Sequence, residues 1–302
     1  MQTRLARPTS QLSAHFLPYI ALALGILGLG FSAIFVKWAN APGGVSGFYR
    51  MGIATAVMAL PFAVHAARRR RAPLSRRHLW FAVLAGLFFA GDLAAWNTGV
   101  LITNAANATL FGNTSPFWVS LGALLLFKEK LRPAFWGGLA LAMLGAGVIL
   151  GGDFLTHPAL GFGDMLAALA GFFYGLFFLA AQRAREKLSS LVAWWVSAAA
   201  STAALLVYCL LLGQPVWGYP PATYWSLLAL ALVTQVGGYI SINYALGHLP
   251  ASLVSATLLG QPVMTALLAV VFLGEPLSWV QVGGGALVLA GIWVVHQNKK
   301  AS

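Results

Sequence analysis

Apolar residues run along this chain in blocks of about 20, set apart by short stretches rich in Pro, Gly, Lys and Arg. A helix of about 20 residues crosses the roughly 30 Å hydrocarbon core of a bilayer. The pattern predicts ten such helices, near residues 17–37, 44–66, 79–99, 103–127, 133–151, 162–182, 190–212, 223–246, 250–273 and 277–296. Breakers fall between them: Pro42-Gly43-Gly44, Pro73, Pro133, His157-Pro158, Pro215 to Pro221, Pro250 and Pro276. A closed barrel is the other way to span a membrane, but its strands alternate apolar and polar over about 10 residues. These blocks are continuous, which predicts an all-α membrane protein.

Charge sets direction. Sixteen of the 18 Lys and Arg lie before the first span, between spans two and three, after spans four and six, and at the chain's end. Those positions share one side only if there are ten spans, so the positive-inside rule places both termini in the cytoplasm. Arg4 and Arg7 precede a first apolar run that is too long for the h-region of a signal peptide, and it is expected to be an uncleaved helix. Composition agrees: of 302 residues 60% are hydrophobic and 8% charged, against about 25% charged in a soluble domain. The net charge of +12 therefore reads as topology, with no nucleic-acid partner. Cys209, the single cysteine, lies within an apolar block and offers no thiol metal cluster.

The chain also repeats itself. A shift of 146 residues lays Asn97 on Asn243, Ala105 on Ala251, Pro116 on Pro262, Glu129 on Glu275, Leu131 on Leu277, Gly137 and Gly138 on Gly283 and Gly284, and Gly145 on Gly291. The halves, 1–152 and 153–302, hold five spans each. An odd number of spans forces the second half to enter upside down. The expected architecture is thus ten transmembrane helices as two inverted five-helix repeats around a central cavity. Inverted repeats are a common construction of secondary transporters, with the site near the midplane between the halves.

At this level the chain resembles the paired EamA domains of the drug/metabolite transporter superfamily. The resemblance rests on Phe48-Tyr49-Arg50, on Asn97 and Asn243, and on Pro116…Phe127-Lys128-Glu129-Lys130-Leu131 with its echo Pro262…Leu273-Gly274-Glu275-Pro276-Leu277. The Gly-rich helices that open at Trp136-Gly137-Gly138 and Gln281-Val282-Gly283 complete each half. It implies a multi-pass exporter of small metabolites in the bacterial inner membrane, working by alternating access. Within the superfamily the likeness is to YddG-type exporters, which implies amino acids, aromatic or otherwise hydrophobic, as substrates. Other metabolites or drugs are the alternative cargo, and a channel the alternative mechanism.

Polar groups inside a bilayer are costly and each needs a reason. Asn104, Asn107, Phe111 and Thr114 share one helical face in span four; Gln235, Tyr239 and Asn243 recur at steps of four in span eight; Thr257, Gln261 and Thr265 do so in span nine. Such stripes line a wet cavity or bond helix to helix. Trp96 and Asn97 in span three, and Tyr174 and Phe178 in span six, are candidate cavity residues; aromatic faces can also simply pack. Pro116 and Pro262 are expected to bend spans four and nine or to pivot there during gating. Arg50 and Asp92 lie at equal depth on successive spans and are expected to pair, directly or through water. There is no HExxH pair, Walker loop or GxSxG elbow, so neither an enzyme, a metal, a cofactor nor an ATPase subunit is called for. The expected partners are the lipid bilayer and a small-molecule substrate; the oligomeric state is left open.

Overall fold

The computed structural model describes residues 9–68, 75–102, 111–150, 161–273 and 277–298. Every regular element among them is helical. In chain order these are α1 (Thr9–Gly30), α2 (Ser32–Ala39), α3 (Gly43–Val57), α4 (Ala59–Arg68), α5 (Arg76–Ile102), α6 (Ser115–Leu126), α7 (Pro133–Leu150), α8 (Phe162–Arg185), α9 (Ser190–Leu211) and α10 (Pro221–Ala229). A π-helical stretch, Leu230–Tyr239, leads into α11 (Ile240–Leu246). Then come α12 (Ala251–Thr257), a 3-10 turn at Leu258–Gly260, α13 (Gln261–Leu273) and α14 (Trp279–Gln297).

Among the described residues seven helical segments are long and apolar enough to cross a membrane, and α3 with α4 makes an eighth broken by a 43° bend. Two shorter apolar helices, α6 and α7, complete the set. Their outward faces carry large apolar side chains such as Leu60, Leu211 and Val271, each more than 70% exposed, which suits a lipid solvent and no other.

Prolines explain the breaks. The ring of Pro61 clashes with the carbonyl four residues back, that of Val57, where α3 ends. Pro116 stands at the start of α6 behind a turn at Asn113–Thr114, and Pro262 is the second residue of α13 behind the 3-10 turn. The 146-residue shift lays one break on the other. Each proline therefore opens a new half-helix, where its missing N–H costs nothing, in place of bending a continuous one.

The packing obeys the repeat. α5 packs along α8, and the equivalent contact joins the π-stretch and α11 to α1. α6 packs on α8, and equivalently α13 on α1. Two contacts map onto themselves: α3 with α9, and α7 with α14. In the second of these a Cβ on Gly138 would stand 2.9 Å from the carbonyl of Gly291, and one on Gly145 would stand 2.6 Å from that of Gly284. Residue numbers rise on one helix as they fall on the other, so repeat-equivalent helices lie antiparallel. This seam is internal to the chain.

Candidate functional site

The two ends of the bundle differ. At one, the basic end, Arg183 and His78 meet Glu186 at 2.7 and 3.6 Å. Nearby, Arg185 Nε donates to the Asn243 carbonyl at 2.9 Å, the Ala251 amide donates to Gln182 Oε1 at 2.6 Å, and Ser252 Oγ donates to Glu129 Oε2 at 2.8 Å. These bonds tie α8 and the segment after α6 to α11 and α12. At the other end Asn97 Nδ2 donates to the Gly43 carbonyl at 2.7 Å, and Tyr49 donates to the Val216 carbonyl at 2.6 Å.

A cavity of about 560 Å³ of empty space, its open part included, lies in the half away from the basic end. Arg50 on α3, Asp92 and Trp96 on α5, Asn113 at the first helix break, Tyr174 on α8, Tyr239 on the π-stretch and Gln261 at the second break all line it. Arg50 is 4% exposed. Its Nε donates to Gln235 Oε1 at 2.8 Å and its Nη1 to Ser32 Oγ at 3.2 Å. It also stands over the rings of Tyr239 and Phe89, 5.3 and 5.9 Å from their centroids, within cation–π range. Asp92 shares the cavity and interacts electrostatically with Arg50, yet Arg50 bonds to the Gln235 amide and to the Ser32 and Tyr239 hydroxyls.

Aromatic rings close the floor. Phe89 packs 4.8 Å from Phe177 and 4.9 Å from Tyr239, and the Tyr239 hydroxyl donates to that of Tyr174 at 2.9 Å. Beneath this layer a smaller pocket is lined by Met51, Trp194, Ser197, Gln235 and Asn243. The repeat pairs Met51 with Ser197 and Phe89 with Gln235, so this layer sits on the pseudo-two-fold axis. In both pairs the second half supplies the polar member.

Of the residues singled out from the sequence, Arg50, Asp92, Trp96, Tyr174, Tyr239 and Gln261 come together at the cavity. Gln235 and Asn243 line the smaller pocket. Asn97 lies between α5 and the start of α3. Phe178 is in the core against Tyr174 and Phe177. The Thr257 hydroxyl donates to the Leu253 carbonyl and stands 2.8 Å from His296 Nε2. The Thr114 hydroxyl donates to the Phe111 carbonyl across the break. Asn107 and Asn104 lie outside the described residues. Ser32 and Asn113 were not anticipated. Pro116, read as a break two residues on from Thr114, is the signal that could have moved the stripe from Thr114 to Asn113. Cysteines placed at Trp96 or Asn113 in a Cys209→Ser background are expected to react with a polar thiol reagent added outside intact cells. One at Ser252 is expected to stay unmodified. Labelling of position 252 from outside would invert the assignment of the two ends.

A membrane-embedded helical bundle built twice over, with a charged cavity where the halves meet, is the construction of a solute transporter. The chain belongs to the EamA-like transporter family, whose profile matches residues 16–151 and 161–297. An "Uncharacterized transporter" of Methanothermobacter thermautotrophicus is 28% identical over 210 residues, which is 67% of this chain and 60% of the relative. A "Riboflavin transporter" of Rhizobium johnstonii is 33% identical over 43% of this chain and 44% of its own. A "Probable terminal-alkyne amino-acid exporter" of Streptantibioticus cattleyicolor is 26% identical over 82% of this chain and 80% of its own. A crystal structure 23% identical in sequence superposes with a TM-score of 0.74 over 95% of this chain and 98% of that one, and shares the fold.

Proposed function

We propose that the chain is an exporter of small metabolites, amino acids first among them, in the bacterial inner membrane. It crosses ten times, with both termini in the cytoplasm, and works by alternating access between inverted halves. The observation that carries the substrate reading is the cavity wall: a guanidinium and a carboxylate face one space beside the rings of Trp96, Tyr174 and Tyr239. A zwitterion with an apolar side chain complements that set, its carboxylate on Arg50, its ammonium on Asp92 and the faces of the rings. The Streptantibioticus relative supports amino acids by its name, and the Rhizobium relative favours a larger, uncharged ring system. With the basic end inside, the Arg185, Gln182 and Glu129 bonds form the closed cytoplasmic gate and the cavity faces out. YddG-like preference for aromatic amino acids is the narrower form of this proposal.

Export then requires the Arg185, Gln182 and Glu129 bonds to open while the outer end closes. Bound substrate must favour passage between the two states without holding either. The test is counterflow in liposomes with a panel of amino acids and riboflavin. Saturable exchange of neutral apolar or aromatic amino acids is the expected result. Riboflavin exchange with no amino-acid exchange would overturn the substrate reading. Flux that neither saturates nor shows counterflow would indicate a channel.

A further inference from the structure

We infer that Gln235 is a positioning residue that holds Arg50 away from Asp92, so that the cavity presents an available guanidinium rather than a neutralised pair. This rests on the reading of Arg50 as the anchor for a substrate carboxylate. A guanidinium and a carboxylate that line the same low-dielectric cavity attract each other strongly. Left alone, they would close on one another and leave little for a substrate. The geometry shows what prevents it. Gln235 is 2% exposed and presents its carbonyl oxygen to Arg50 Nε at 2.8 Å. Ser32 Oγ takes Nη1. A guanidinium has five N–H donors, so after these two bonds and the one shared with the Tyr239 hydroxyl as many as two remain, enough for a bidentate carboxylate.

The partner comes from the other half of the chain. Arg50 belongs to the first repeat and Gln235 to the second, in the π-helical stretch that also carries Tyr239. π-Helical insertions recur at functional sites. The repeat places Phe89 where Gln235 stands, and Arg50 touches both, the amide by a hydrogen bond and the ring by its face. The guanidinium thus sits between two equivalent positions of which only one can orient it. Moving the halves past each other changes the relation of Arg50 to that amide, and so links the availability of the cation to the state of the transporter.

The test uses purified full-length protein and 3-phenylpropionate, a carboxylate on an apolar stem with no ammonium group, titrated by calorimetry. Its carboxylate can bond to Arg50, and it carries no ammonium to offer Asp92. Gln235→Leu is expected to weaken binding by about tenfold or more, the size of one charge-assisted hydrogen bond. Adding Asp92→Asn is expected to restore most of it, because the competing carboxylate is gone. Asp92→Asn alone is the control: a purely structural role for Gln235 predicts that Asp92→Asn changes affinity by the same factor with glutamine or leucine at position 235, whereas a positioning role predicts a much larger gain with leucine there. Gln235→Glu provides the second arm: it neutralises Arg50 directly, and Asp92→Asn should not rescue it. Wild-type affinity in Gln235→Leu, or no rescue by Asp92→Asn, overturns the inference. Unchanged affinity in Arg50→Gln, or no binding to the wild type, overturns the anchor reading beneath it.

Discussion

Arg50→Ala is expected to abolish amino-acid counterflow and to lower the amount of protein in the membrane. In that variant the Gln235 carbonyl oxygen and the Ser32 hydroxyl lose their donor, and the Asp92 side chain loses the nearby positive charge. A lone charge at such depth costs around 2.5–3.5 kcal/mol or more. Asp92→Ala leaves Arg50 with its amide and hydroxyl, so its loss of abundance should be smaller. The double variant should be more abundant than Arg50→Ala alone and still fail to transport. Immunoblots of isolated membranes and counterflow in liposomes read the two effects separately. Strictly additive losses of abundance would show that the two charges do not act on one another.

The second large effect concerns the seam between α7 and α14. Gly291→Leu is expected to leave little folded protein. Even a Cβ at Gly291 would lie 2.6 Å from the Gly138 carbonyl and closer still to the Ala142 amide nitrogen, both backbone atoms that cannot turn aside. Overpacking a close helix contact typically costs about 1–3 kcal/mol for a few extra methylenes, and a leucine here must push two helices apart. Gly283→Leu, one turn before the end of the seam, meets nothing within 4 Å and serves as the control. Thermal unfolding in detergent, followed by tryptophan fluorescence, should show a large fall in midpoint for Gly291→Leu and little change for Gly283→Leu. Equal midpoints would mean that the seam opens readily.

The helices were legible because a bilayer imposes a length on each of them, and because apolar blocks of that length have few other uses. The repeat was legible because Gly138 and Gly145 face Gly291 and Gly284 across one close contact, and packing of that kind admits no larger side chain at any of the four places. What the pattern could not show is how a helix break turns a face. Phe111 and Thr114 stand on one stripe in an unbroken helix. The turn at Asn113–Thr114 brings Asn113 to the cavity and spends the Thr114 hydroxyl on the Phe111 carbonyl. Likewise the 3-10 turn at Leu258–Gly260 parts Thr257, which meets His296, from Gln261, which lines the cavity. Equal depth on neighbouring spans pointed Arg50 at Asp92. Its bond to Gln235 comes from a span 185 residues on and its bond to Ser32 from the span before, and no periodicity along one helix reports either.

The antiparallel glycine seam has a bearing on ancestry. A helix that packs against its own repeat equivalent forms the self-complementary contact of a two-fold dimer. A half-length forebear needed only to insert in both orientations to pair with itself through that contact. In such a pair every side chain near the axis occurs twice. A guanidinium at position 50 would have faced a second one, at the place where this chain has Val196. Two like charges in so poor a solvent repel each other strongly. The single cation, with its single amide at position 235, is therefore a device available only to two halves that differ in sequence.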